Sequence, residues 1–141
     1  MKFWDSSALV PLFFDEPWSN ILRGMVEEDE DVVVWMLTRV ELLSMIARLE
    51  RTSAGLDDLL TGVRLDAIER VRRCHQVTQA DAVRQRAERL VSVHPLSAAD
   101  ALQLGAALVA AREQPDAFEF VTLDKTLGRA ARLEGFRVVG V

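Results

Sequence analysis

With 141 residues, half of them apolar, and a formal net charge of −5, the chain suits one compact domain over residues 1–141 around a single buried core. It lacks the excess of positive charge by which a protein coats nucleic acid. No apolar run approaches the roughly 20 residues of a bilayer span, and Met1 leads into Lys2-Phe3-Trp4 without a signal-peptide pattern, so a soluble, cytoplasmic protein with no membrane partner is expected. Cys74 is the only cysteine, which rules out an intramolecular disulfide, a zinc finger and a redox pair, and it reads as a small buried hydrophobe.

Lys2 to Trp4 reads as a short strand, and Ser6 to Phe14 as an apolar helical stretch that Pro11 interrupts. Trp18 to Val26 reads as a second short helix. The acidic run Glu27-Glu28-Asp29-Glu30-Asp31 follows as a solvated loop before the strand Val32 to Met36. Thr38 opens a helix reaching about Arg51, which the Thr-Ser-Ala-Gly stretch at 52–55 ends. From Leu56 to Val93 apolar residues recur at helical spacing, as one or two amphipathic helices and then another. Beyond Pro95, Ser97 starts a helix to about Arg112. Phe118 to Leu123 is a strand, Lys125 to Glu134 a helix, and Phe136 to Val141 a last strand. Strands alternating with helices predict a three-layer α/β/α sandwich around a central, mainly parallel sheet of four or five strands.

Four acids stand out: Asp5, Glu41, Asp100 and Asp124. Three of them have an ordinary explanation at helix starts. Thr38-Arg-Val-Glu41 has the form of a capping box, Ser97-Ala-Ala-Asp100 the same form with a shorter acid, and Asp124 suits the N-cap of the helix after its strand. Asp5 and Asp100 resist this account, because both lie in stretches that are otherwise almost wholly apolar. From Ala98 to Ala111 only Asp100 and Gln103 carry polar side chains. A buried carboxylate requires a cation, hydrogen bonds or protonation, and no Lys or Arg stands near in either segment.

Topology predicts that the acids converge. Ligands of an open parallel sheet bind beyond the carboxyl ends of its strands, where strand order reverses. Asp5 and Asp124 follow strands directly, and Glu41 and Asp100 occupy first helical turns. Four carboxylates together would repel one another without divalent metal, and an all-oxygen set suits Mg²⁺ or Mn²⁺ rather than zinc. His75 and His94 read as surface or structural residues. Metal bound by carboxylates activates water for phosphodiester hydrolysis.

The segments Phe3-Trp4-Asp5-Ser6-Ser7-Ala8-Leu9-Val10, Thr38-Arg-Val-Glu41-Leu-Leu-Ser, Leu96-Ser-Ala-Ala-Asp100-Ala-Leu-Gln-Leu and Val121-Thr-Leu-Asp124-Lys-Thr-Leu, followed by Glu134-Gly-Phe, carry a resemblance over nearly the whole length. In order and spacing the chain resembles PIN-domain ribonucleases, and among them the VapC-type toxins of toxin–antitoxin pairs. The resemblance implies a parallel sheet between helices, a homodimer, and Mg²⁺- or Mn²⁺-dependent endonucleolytic cleavage of RNA. It also implies a small VapB-like antitoxin whose helical tail lies in an apolar groove. On this reading Asp5, Glu41, Asp100 and Asp124 coordinate metal, while Ser6 and Thr122 hold carboxylates or water in place. Gly128 stands where the family often has a further polar residue, which leaves one metal ion or two open.

Two other readings fit less well. A phosphatase using Asp5 as nucleophile would usually carry a second Asp two residues on, where Ser7 stands, and a non-catalytic binding module would not need all four acids. Phe13, Phe14, Trp18 and Trp35 are candidates for the groove or simply core aromatics. Arg64, Arg70, Arg72, Arg73, Arg84, Arg86 and Arg89 read as a solvated amphipathic face rather than an RNA contact.

Overall fold

The computed structural model describes residues 1–141. Five short strands, β1 (Lys2–Trp4), β2 (Val32–Trp35), β3 (His75–Val77), β4 (Glu119–Val121) and β5 (Arg137–Val139), form one sheet in the order β3-β2-β1-β4-β5. Every neighbouring pair is parallel, so each connection must cross over one face of the sheet. The crossovers are helical: α1 (Ser6–Leu9) and α2 (Ser19–Glu28), α3 (Thr38–Thr52) and α4 (Asp57–Arg73), α5 (Ala80–Val93) and α6 (Ala98–Ala110), and α7 (Lys125–Leu133). Pro11 restarts the chain after α1 as a 3-10 turn over Val10–Leu12.

Strand side chains alternate between faces, and the core divides accordingly. Phe3, Val33, Trp35 and Phe120 pack with α5, α6 and α7, including Leu90, Leu104 and Leu127. Trp4, Val32, Val34 and Val121 point the other way, onto Leu9, Leu22, Leu42 and Val71 of α1 to α4. The result is the expected α/β/α sandwich. The chain winds outward from β1 to β3 over one face, then returns past β1 to β4 and β5 over the other. Strand order therefore reverses between β1 and β4. No helix is long and apolar enough to cross a membrane.

Several local expectations are corrected. The stretch between Leu56 and Val93 contains a strand as well as helices: β3 has only Val77 buried and owes its conformation to pairing with Val33–Trp35. Glu27 and Glu28 close α2 rather than beginning a loop, and Asp29 is held by Lys2 Nζ (2.8 Å) and the amino terminus (3.0 Å). Trp35 is a core residue, 2% exposed, not a groove residue. Trp18 is 38% exposed, and Phe13 and Phe14 pack against Ile46, Val63 and Ala67. Cys74 is half-buried, its thiol pushed up to about 11 by burial. His75 is exposed and His94 is buried against Glu134. Of the seven arginines of α4 and α5, all but Arg70 are paired with carboxylates, Arg64 with Glu50, Arg72 and Arg73 with Glu69, Arg84 with Asp81 and Glu88, Arg86 with Glu113, and Arg89 with Glu134.

Candidate active site

Asp5 directly follows β1 and caps α1, and its N–H donates to the Val121 carbonyl (3.0 Å), carrying the β1–β4 pairing one residue past β1. Its side chain lies beneath the surface, the residue 3% exposed. Oδ2 accepts from the Ser7 N–H (3.2 Å), from the Ser7 hydroxyl, and from Thr122 Oγ1 (2.9 Å). Burial raises the Asp5 pKa, the Ser7 and Thr122 hydrogen bonds oppose that shift, and the charge of Asp100 adds to it. Ser7 Oγ also accepts from the Leu123 N–H (2.9 Å), and Thr122 Oγ1 accepts from the Asp124 N–H (3.1 Å). Two hydroxyls thus fasten the carboxyl end of β1 to that of β4.

Glu41 stands in the first turn of α3 and is corrected in role. The N-cap of this helix is Leu37, Thr38 is already helical, and no side chain caps the helix. Thr38 Oγ1 instead lies 3.1 Å from Gln103 Nε2, inside the core. Gln103 Nε2 also donates to Glu41 Oε1 (2.9 Å), while Ser6 Oγ donates to Glu41 Oε2 (2.7 Å) and lies 3.4 Å from Asp5 Oδ1. Both Glu41 oxygens are held by residues of other elements, so the carboxylate is tied to Ser6, next to Asp5, rather than to its own backbone. Burial raises its pKa against the Ser6 and Gln103 bonds, with Asp5 and Asp100 adding repulsion.

For the other two acids the capping accounts hold in part. Ser97 caps α6, its Oγ accepting from the Asp100 N–H (3.2 Å), and Asp124 caps α7 through Oδ1, which accepts from the Leu127 N–H (2.8 Å). Capping engages only one oxygen of Asp124. The Asp100 carboxyl is raised by burial, with Ser97 opposing and the charge of Asp124 adding. Asp5, Glu41, Asp100 and Asp124 are thereby linked in one network of mutual repulsion, and no Lys, Arg or His pairs with any of them.

This donor set fits a hard divalent cation. It is all oxygen, partly desolvated, self-repelling and without a cationic partner. No three of the acids stand close enough together to hold a metal ion by themselves, so an ion bound here would complete its shell with water or substrate oxygens. Gly128 has a reason of its own: a Cβ there would sit 2.6 Å from Cγ2 of Val141 and 3.4 Å from Cγ2 of Thr122. Apolar atoms fill the place of any further polar ligand. Ser7 and Gln103 join the site without a motif to mark them, Gln103 standing in the sequence only as a second polar residue in an apolar helix and Ser7 as a hydroxyl two residues beyond Asp5.

A parallel α/β fold carrying an unpartnered acid cluster where strand order reverses defines a class of protein. The PIN domain family model matches residues 2–133, and the chain belongs to the PIN-domain family. Its fold is shared by the crystal structure of FitAcB from Neisseria gonorrhoeae, with a TM-score of 0.68 and 18% sequence identity over 98% of this chain and 96% of that one. No curated protein sequence matches it.

Proposed function

We propose that the chain is a metal-dependent endoribonuclease, the toxin of a VapC-type toxin–antitoxin pair, working as a single domain over residues 1–141. What supports it best is that Asp5, Glu41 and Asp100 are each buried in part or whole, feel the charge of another acid, and have no cationic partner. Membership of the PIN-domain family, whose members are generally nucleases that use divalent metals, points the same way. Asp5, Glu41, Asp100 and Asp124 would hold Mg²⁺ or Mn²⁺. Bound there, the ion supplies charge neutralisation at the phosphate and a more acidic water.

The protein's own residues keep the acids in place. Ser7 and Thr122 hold Asp5 by three hydrogen bonds on one oxygen, leaving the other turned toward Ser6. Ser6 and Gln103 fix Glu41 from two sides, so its carboxylate needs no reorganisation when substrate binds. Asp124 keeps one oxygen free while capping α7. The proposed partners are RNA, a VapB-like antitoxin and a second copy of the chain, in the cytoplasm.

The test is direct. Antitoxin-free protein should cut RNA with Mn²⁺ or Mg²⁺ and stop on chelation, and the Asp100→Asn variant should be inactive while keeping its melting transition. Normal cleavage by that variant would overturn the assignment of the site.

A further inference from the structure

Between the α5–α6 connection and α7 lies a cavity of about 520 Å³, within the size range of small-ligand sites. One wall is the segment between α5 and α6, with His94 and Pro95, and the other is the face of α7 that carries Lys125, Thr126, Arg129 and Leu133. Lys125 directly follows Asp124, and Pro95 precedes the helix that carries Asp100. One wall is thus the helix that Asp124 caps, and the other leads into the helix that carries Asp100. Lys125 and Arg129 are four residues apart on α7, which puts them side by side on one face.

Their charge is free. Neither makes an ion pair, whereas nearly all arginines of α4 and α5 do. The one acid behind the cavity, Glu134, is taken up by Arg89 and by His94 Nε2 (2.6 Å). In a chain of net charge −5, two unpaired cations in a concave wall, one of them next in sequence to Asp124, favour an anion that reaches from the cavity toward the acids. A nucleic-acid strand has that character: cleavage at one phosphate leaves its neighbour within reach, and phosphate contacts set the register of a strand.

We propose that this cavity is a phosphate subsite for the RNA strand next to the bond that is cut. Lys125 and Arg129 supply the charge, the Thr126 hydroxyl donates a hydrogen bond, and Pro95 and Leu133 form an apolar rim for the sugar. The assignment rests on the nuclease reading above and adds to it the place where the substrate backbone is gripped.

Binding can be measured apart from cleavage by placing variants in the Asp100→Asn background and titrating a fluorescent twelve-nucleotide single-stranded RNA at several salt concentrations. K125Q/R129Q should weaken binding about tenfold and reduce the slope of log K against log salt by about 1.4, two phosphate contacts at about 0.7 each. R48Q/R51Q, which removes the same charge from two exposed positions of α3, should change neither. Equal losses in both variants would mean bulk charge and overturn the subsite. So would unchanged RNA affinity in K125Q/R129Q, including the case in which the cavity binds an acidic peptide instead, and so would the absence of RNA binding by the parent. Cleavage is scored separately with Asp100 intact. No cleavage with Mn²⁺, together with the specific loss in K125Q/R129Q, would sink the nuclease reading and with it the place beside a cut bond, while upholding the cavity as a site for an RNA backbone phosphate.

Discussion

Gln103 is wholly buried and spans two partners, the equally buried Thr38 hydroxyl at 3.1 Å and Glu41 at 2.9 Å. Gln103→Leu keeps the volume and removes both bonds. A polar group left buried and unpaired costs about 1–3 kcal/mol. Thr38, with no route to water, suffers the larger share, and half-buried Glu41 regains part of its loss from solvent. The leucine returns about 1–2 kcal/mol by apolar burial. A net loss of about 2 kcal/mol follows, roughly 6–8 °C in Tm for a chain of this size, read by circular dichroism. Thr38→Val in the same chain removes the stranded hydroxyl, so the double variant should recover to within about 3 °C of the parent, because replacing both partners by apolar groups is nearly neutral. If the two losses simply add, Thr38 and Gln103 are not coupled and the reasoning fails. Additivity is also what a capping role for Thr38 would produce, at about 1 kcal/mol for the lost cap.

Mg²⁺ or Mn²⁺ should raise Tm reversibly, by about 2.7 kcal/mol of stabilisation at a hundredfold excess over Kd, and Asp100→Asn should blunt the rise; no shift at millimolar metal would count against the metal assignment. The Glu134 pKa is lowered, first by its hydrogen bond from Arg89 and then by that with His94, against burial. A lowered carboxyl pKa adds stability above the unfolded value near 4.5, and that stability disappears as pH falls through the folded value. Glu134→Gln should therefore melt lower than the parent at pH 7, by roughly 1 kcal/mol, with the gap closing as pH falls below the unfolded value and through the lowered folded one. A gap independent of pH would show that the charge of Glu134 does not matter.

The periodicity of the chain made most of the architecture legible. Phe3 and Trp4, or Val33 and Val34, alternate between the two cores, and the apolar helix from Ala98 announces its burial at once. β3 could not be read this way, since His75 and Gln76 face solvent and only pairing with β2 makes the segment a strand. The four acids could be named because carboxylates in apolar company need a reason, and the reversal of strand order supplied a common location for them. What holds them was not legible. Thr38-Arg-Val-Glu41 has the spelling of a cap whether or not the hydroxyl turns inward, and it turns to Gln103, 65 residues away. Ser7 drew attention as the absence of an aspartate, yet its hydroxyl joins Asp5 to the Leu123 backbone across 116 residues.

The fastening of β1 to β4 also bears on the order in which the molecule comes into being. Residue 5 meets residues 121 and 122, so Asp5, Glu41 and Asp100 leave the ribosome well before the strand that completes their arrangement. Closing so long a loop is entropically costly and slow. A nascent chain therefore carries three of the acids while still lacking the fourth and the hydroxyl clasp of Thr122. The arrangement of acids stays incomplete until β4 and Thr122 have been made, a dependence written into topology alone.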